Sequence, residues 1–134
     1  MTVFVDTSAF YAMMDGNDQD HAAAVAVWDG LVTTSTRLVT TNYALVETLA
    51  LIQRRLGMPA ARVYLNDIVP LLSVVWVDDS LHRAAISMLL AANRRDLGFV
   101  DCTSVELMRT AGMSQAFAFD GHFTDQGFDC LGPT

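Results

Sequence analysis

Residues 2–8, Thr-Val-Phe-Val-Asp-Thr-Ser, join a short apolar run to an acidic residue and two hydroxyl residues. The β-branched and aromatic residues of this run predict a strand over 2–5. A short helix is predicted to follow Asp6, which gives this aspartate the position of a helix N-cap. In a parallel sheet the carboxyl ends of strands are also where ligands bind. Capping and ligand binding are compatible at Asp6, and both interpretations stay open at this point.

Short β-branched or aromatic runs alternate with longer helical patterns along the rest of the chain. This alternation predicts an α/β fold with a central, mostly parallel sheet of four or five strands flanked by helices. With 134 residues, 52% of them hydrophobic, the chain is predicted to form one domain over 1–134. The other predicted strands are 37–39, 74–77, 115–119 and the weakly patterned 128–131. The other predicted helices run through 22–28, capped by Asp18 or Asp20, from the residue after Asn42 to Arg55, from Pro59 to about Pro70, over 78–95, capped by Asp79 or Ser80, and over 101–111.

Four acidic residues stand where acids are least expected, at the ends of apolar runs or inside them. A lone buried carboxylate is costly, and several brought together raise one another's pKa unless a cation neutralises them. Three are aspartates predicted at strand-to-helix junctions, and one is a glutamate predicted on the inner face of a helix. The pattern predicts a metal-binding cluster at one edge of the sheet, formed by Asp6, Glu47, Asp101 and Asp120.

Each of these acids also has a plainer interpretation. Asp6 and Asp101 can be helix N-caps, and Asp120, followed by Gly121, can belong to a turn. Glu47 can be an edge residue that reaches solvent, although its helical neighbours three and four positions away are apolar or aromatic. The occurrence of all four in one chain favours the metal cluster over the separate explanations.

Several other residues are candidates for supporting roles. Asp96 lies five residues before Asp101 and Asp125 five after Asp120, so either can reach the cluster as an outer ligand, with Asp125 slightly favoured. The hydroxyls of Ser8 and Ser104 can bind a ligand carboxylate or a phosphate oxygen, or can act as ordinary capping groups.

Histidine, cysteine and arginine complete the candidate residues. His122, two residues past Asp120, is predicted to be a solvated turn residue, with substrate contact as the alternative. Cys102 and Cys130 are predicted to be reduced, buried thiols, and neither they nor the histidines have the spacing of a zinc site. The arginine pairs 54–55 and 94–95 are the best available phosphate contacts, unless they only complement helix dipoles.

The charged residues exclude several classes of function. The chain has 15 acidic residues against 8 basic ones, every basic residue is arginine, and the net charge is −7. Without lysine there is no P-loop lysine or Schiff-base chemistry. Such an acidic chain does not bind nucleic acid by bulk electrostatics. No apolar run approaches the roughly 20 residues of a membrane span, and no basic segment precedes the first apolar stretch, so a cytoplasmic protein is predicted.

Four motifs, in this order and spacing, resemble a known family. They are 3–8 (Val-Phe-Val-Asp-Thr-Ser), 41–48 (Thr-Asn-Tyr-Ala-Leu-Val-Glu-Thr), 99–104 (Phe-Val-Asp-Cys-Thr-Ser) and 116–123 (Ala-Phe-Ala-Phe-Asp-Gly-His-Phe). Over nearly its whole length the chain resembles the PIN-domain nucleases, particularly the small VapC-type toxins of bacteria and archaea. The resemblance implies a Mg²⁺- or Mn²⁺-dependent endoribonuclease with the metal ligands Asp6, Glu47, Asp101 and Asp120. It also implies a homodimer and a role as the toxin of a toxin-antitoxin pair, inhibited by a small antitoxin protein.

The type of ligand agrees with this resemblance, since carboxylate oxygens suit Mg²⁺ and Mn²⁺. Asp6 and Asp101 are predicted as direct ligands. Glu47 and Asp120 are predicted to complete the ligand set, bind a second ion or orient the attacking water, with Asp120 the least essential if one ion suffices. Two alternatives are an RNA-processing PIN nuclease outside a toxin system and a catalytically silent interaction module. A phosphatase is disfavoured, because there is no lysine and no second aspartate two residues after Asp6.

Overall fold

Five parallel strands form the centre of the protein in a computed structural model that describes residues 1–132. The strands are β1 (Thr2–Val5), β2 (Arg37–Thr41), β3 (Ser73–Val75), β4 (Gln115–Phe117) and β5 (Asp129–Leu131). They form one sheet in the order β3-β2-β1-β4-β5, and every neighbouring pair is parallel. The predicted α/β fold with a parallel sheet flanked by helices is therefore confirmed, and all five predicted strands form.

Helices connect the strands and cover the sheet. Within residues 1–132 they are α1 (Thr7–Met14), α2 (His21–Thr33), α3 (Asn42–Leu56), α4 (Met58–Val63), α5 (Asp79–Ala92), α6 (Phe99–Ala111) and the short α7 (His122–Asp125). The helix predicted from Pro59 to about Pro70 is wrong in its second half. There α4 gives way to a π-helical turn over Tyr64–Ile68 and a 3₁₀ turn over Val69–Leu71. Pro70 lacks the backbone N–H of a continuing α-helix.

The start of α6 also departs from the prediction. The apolar residues 97–100 do not end a strand, because α6 already begins at Phe99 and Asp101 lies in its first turn. Leu97 is buried with Cys102 of α6 and Ala85 of α5. A short apolar run of this kind has no periodicity that separates a strand from a buried helix end. Asp101 is therefore neither at a strand-to-helix junction nor an N-cap, a position that belongs to Gly98.

The two faces of the sheet pack into different cores, because successive strand residues point to opposite sides. Val3 and Val5 of β1 face a large cluster that includes Phe10 of α1 and Trp28 of α2. Phe4, between them, faces a smaller cluster with residues of α6 and α7. The central strand β1 is thus buried on both sides, and Asp6 follows directly after it.

An aromatic group joins three helices beside the carboxyl edge of the sheet. The Tyr43 hydroxyl of α3 lies 2.7 Å from Nδ1 of His82 in α5. Phe99, at the start of α6, packs against both rings, with centroid distances of 6.2 and 5.1 Å. These contacts orient α6, which carries Asp101, relative to α3, which carries Glu47.

Cys102 is buried as predicted, whereas Cys130 is only half-buried, and both are free thiols. The prediction for Cys130 is wrong because it lies on β5, at the edge of the sheet, where one neighbour is missing. Among the residues that the structure describes, no helix combines the length and the apolar character needed to cross a bilayer.

Candidate active site

Asp6 sits directly after β1, at the carboxyl end of a central strand. Its side chain is only 2% exposed. As the N-cap of α1, its Oδ2 accepts hydrogen bonds from the Ser8 backbone N at 3.1 Å and the Ser8 hydroxyl at 2.6 Å. The predicted cap is therefore present. It uses one carboxylate oxygen, so capping does not prevent Asp6 from binding a ligand.

Ser8 also connects this region to the other end of the chain. Its hydroxyl accepts a hydrogen bond from the Phe119 backbone N at 2.9 Å. The Asp6 backbone N donates to the Phe117 carbonyl at 3.0 Å. These bonds hold the loop after β4 against the end of β1. Ser8 therefore binds a carboxylate of the acidic cluster, which is one of the roles predicted for it.

The loop after β4 brings Asp120 and His122 to Asp101. Asp120 Oδ1 accepts a hydrogen bond from the His122 backbone N at 3.0 Å, which forms the predicted turn at Asp120. The His122 ring places Nδ1 2.8 Å from Oδ2 of Asp101 and 3.7 Å from Oδ1 of Asp120. One ligand atom from each of these three residues lies within 4.8 Å of the others.

The aspartates are close enough to perturb one another's ionisation. Burial, and then the charges of Asp120 and Asp101, raise the pKa of Asp6 well above its usual range. Burial, and then the charge of Asp120, raise the pKa of Asp101 to about 6, although neighbouring His122 acts in the opposite direction. A site that makes carboxylates hard to ionise is one where a bound cation would be strongly stabilising.

Glu47 differs from its prediction. Its side chain is exposed, so it does not lie on the inner face of α3, whose buried residues are Ala44, Thr48 and Ile52. Its charge nevertheless contributes to the raised pKa of Asp101, which indicates that it lies near the cluster. The structure brings Asp6, Asp101 and Asp120 together and leaves Glu47 at the solvent side of the same region.

The residues predicted for supporting roles either bond to other groups or are exposed to solvent. Asp96 pairs with Arg94 at 2.7 Å, and this hydrogen bond lowers the pKa of Asp96. Asp125 is exposed on α7. The Ser104 hydroxyl donates to the Val100 carbonyl at 3.0 Å, which is the ordinary helical alternative to a ligand contact. Of the arginine pairs, Arg94 is engaged by Asp96 and Arg55 lies 5.5 Å from the centre of the Tyr11 ring.

His122 is another residue whose environment differs from the prediction. It is not a solvated turn residue, because its side chain is only 20% exposed and bonds to Asp101. Its spacing from Asp120 was visible in the sequence. The sequence did not show that α6, which supplies Asp101, lies next to His122.

The class of protein to which this chain belongs is given by its match to a known family. The profile of the PIN domain matches residues 3–129. The chain belongs to the PIN domain family, as its motifs predicted.

Two solved structures and one characterised protein give the likeness in detail. The chain is 35% identical over 130 residues to the 23S rRNA-specific endonuclease VapC20 of Mycobacterium tuberculosis, covering 94% of this chain and 95% of that protein. The crystal structure of Mycobacterium tuberculosis VapC20, a Sarcin-Ricin loop cleaving toxin, superposes with a TM-score of 0.86 at 33% identity, covering 98% of this chain and 99% of the other. VapBC2 of Rickettsia felis, bound to a promoter DNA fragment, has a TM-score of 0.71 at 8% identity and shares the fold alone, over 97% of each chain.

Proposed function

We propose that this protein is a divalent-cation-dependent endoribonuclease that cleaves ribosomal RNA as the toxin of a toxin-antitoxin pair. One observation carries the proposal. Asp6 and Asp101, far apart in sequence, meet with Asp120 at the carboxyl edge of the sheet, in a chain 35% identical to a 23S rRNA-specific endonuclease. Ligands of parallel α/β sheets bind at this edge.

The donor set fits Mg²⁺ or Mn²⁺. Asp6, Asp101, Asp120 and Glu47 would hold the ion through hard carboxylate oxygens, and their crowded charges favour a cation of high charge. When bound, such an ion lowers the pKa of a water and stabilises charge on the reacting phosphate. The donors contain no thiolate, so a soft metal is not favoured.

The chain's own residues hold this arrangement before RNA arrives. Ser8 fixes Asp6 through two hydrogen bonds, and the His122 backbone N fixes Asp120. Preorganised charges avoid a reorganisation cost during the reaction. Glu47, being exposed, is free to turn toward the site, where it would complete the ligand set or accept a proton from the attacking water.

RNA would be held locally and not by the overall charge. The net charge of −7 repels phosphates. Arg54 and Arg95 are exposed and are the phosphate contacts we propose. The substrate we propose is the sarcin-ricin loop of 23S rRNA, by extension from the activity that names the related toxin, which requires the enzyme to act in the cytoplasm.

The proposed function also implies two protein partners, an antitoxin and a second copy of this chain. An antitoxin would cover the acidic edge, and an arginine from it could pair with these carboxylates. We also propose a homodimer. Exposed apolar side chains on neighbouring helices of the first half support it, since Val46 is 68% exposed, Met58 44% and Val63 46%.

The test is cleavage of purified ribosomes and of a synthetic sarcin-ricin stem-loop with Mg²⁺ or Mn²⁺, with and without EDTA. Asp6→Asn and Asp101→Asn should each lower the cleavage rate by at least about 100-fold, an order of magnitude typical for lost charge stabilisation at a reacting centre. Asp29→Asn removes the same charge from an exposed position in α2 and should cleave like the wild type.

The outcomes separate the alternatives. Metal-dependent cleavage that is lost in both cluster variants and kept in Asp29→Asn supports the endonuclease. Growth arrest on induction of the wild type, absent with Asp6→Asn, supports the toxin role over RNA processing. No cleavage of ribosomes or RNA with either metal contradicts the proposal and favours a silent interaction module.

A further inference from the structure

His122 contacts two of the three clustered aspartates in different ways. Its backbone N donates to Oδ1 of Asp120 at 3.0 Å. Its ring Nδ1 lies 2.8 Å from Oδ2 of Asp101, on a different element of the fold. One residue thus joins the loop after β4 to the first turn of α6. It is also the one side chain within residues 1–132 that hydrogen-bonds the Asp101 carboxylate.

The chemistry of this contact assigns the hydrogen. Oδ2 of an ionised Asp101 can only accept, so Nδ1 of His122 must carry the proton and donate. A distance of 2.8 Å fits such a charge-assisted hydrogen bond. The 3.7 Å from Nδ1 to Asp120 is too long to compete. With its proton in place, Nδ1 has no lone pair for a metal.

We propose that His122 is a positioning residue, which holds Oδ2 of Asp101 by its Nδ1–H and so presents the other carboxylate oxygen to the divalent cation. This inference rests on the proposed metal-dependent function. Groups that hydrogen-bond a metal ligand orient it, and their loss typically weakens metal binding by about 10- to 100-fold. Without His122, the Asp101 carboxylate would turn freely against the charges of its acidic neighbours.

Two substitutions test which ring nitrogen matters. The side-chain amide of asparagine occupies roughly the position of Nδ1, whereas that of glutamine reaches the position of Nε2. In His122→Asn an N–H remains opposite Asp101 Oδ2, and in His122→Gln and His122→Ala it is absent. Calorimetric titration of each variant with Mn²⁺, in parallel with thermal melts in EDTA, measures metal affinity apart from folding.

We expect His122→Ala and His122→Gln to bind Mn²⁺ about 10-fold or more weakly than the wild type, and His122→Asn to regain most of that affinity. A matched control is His21→Asn, because His21 also uses Nδ1 for a 2.8 Å bond, but to the Ala12 backbone carbonyl. It should bind Mn²⁺ like the wild type.

Each contrary result has a definite meaning. Wild-type affinity in His122→Ala overturns the inference, and the endonuclease proposal survives it if the wild type cleaves RNA. Affinity regained by glutamine and not by asparagine overturns the inference in favour of a contact through Nε2. A wild type that binds no Mn²⁺ and cleaves no RNA overturns both proposals together.

Discussion

At the scale of the residue, Ser8 shows how one small side chain supports a buried acid. Its hydroxyl donates to Asp6 at 2.6 Å and accepts from the Phe119 backbone N at 2.9 Å. Both donor and acceptor capacities of the hydroxyl are used inside the protein. The side chain therefore contributes to the site and to the closure of the sheet around it.

Removing the Ser8 hydroxyl should affect both the stability of the fold and the metal affinity of the site. In Ser8→Ala the Phe119 N–H loses its partner, and we expect the free energy of unfolding to fall by about 1–3 kcal/mol. The Mn²⁺ affinity should fall as well, since Asp6 keeps only its backbone hydrogen bond. Denaturant unfolding and calorimetry measure the two effects. Ser114→Ala, at an exposed position, is the control, and equal stability of the two variants would refute the prediction.

At the scale of the element, the junction between α3 and α4 depends on the backbone of Gly57. This residue has φ +90° and ψ 178°, and its backbone N bonds to two carbonyls of the last turn of α3. Residues with a side chain are strained in this region. The sharp change of direction after Leu56 is therefore available at low cost only to glycine.

A pair of glycine substitutions separates this strain from simple helix propensity. Gly57→Ala should lower the free energy of unfolding by about 1–3 kcal/mol. Gly30→Ala should raise it by about 0.5–1 kcal/mol, because Gly30 lies within α2 and no atom is within 4 Å of the added Cβ. Denaturant melts measure both, and an unchanged Gly57→Ala protein would show that the junction relaxes.

At the scale of the whole molecule, the acidic site opposes the stability of the fold. The folded pKa of Asp101 is raised to about 6, against about 3.9 in the unfolded chain. The folded state therefore binds more protons than the unfolded state between these values, and its stability falls as the pH rises through them. A bound cation would offset this loss.

We accordingly expect Asp101→Asn to stabilise the metal-free protein in a pH-dependent way. Its gain over the wild type in EDTA should be small near pH 4 and reach about 1–3 kcal/mol above pH 6, where the wild-type carboxyl is ionised. Thermal and denaturant melts at several pH values measure it. Asp29→Asn should show no such gain, and a gain that is independent of pH would contradict the argument.

Metal should offset this difference in stability between the wild type and Asp101→Asn. If the site binds Mn²⁺ as proposed, ligand binding should stabilise the wild type by about 2.7 kcal/mol at 100 times its dissociation constant. Asp101→Asn, which lacks the charge, should gain little. The Tm of each protein with and without Mn²⁺ at pH 7.5 measures the effect, and equal shifts would argue against Asp101 as a ligand.

Local pattern was enough to predict much of this molecule. The strands, most helices and the cap at Asp6 depend on neighbouring residues, because periodicity and capping act over a few positions. The cap of α5 was predicted one or two residues too late, since it is Asp78 and not Asp79 or Ser80. The boundaries failed where a local signal was ambiguous, as at 97–100. There Leu97 is buried against α5. The helix α6 therefore begins within an apolar run whose pattern also fits a strand.

The sequence by itself determined the α/β fold, the family and the acids that are candidates for the site, because these follow from patterns read along the chain. Only the tertiary structure decided which of them meet. Ser8 reaches Phe119 across 111 positions, His122 reaches Asp101 across 21, and Glu47 stays exposed. Such contacts depend on strand order and helix packing. The direction of a side chain is set by the helix or strand that carries it, and its contact partners are set by the elements that pack against that helix or strand.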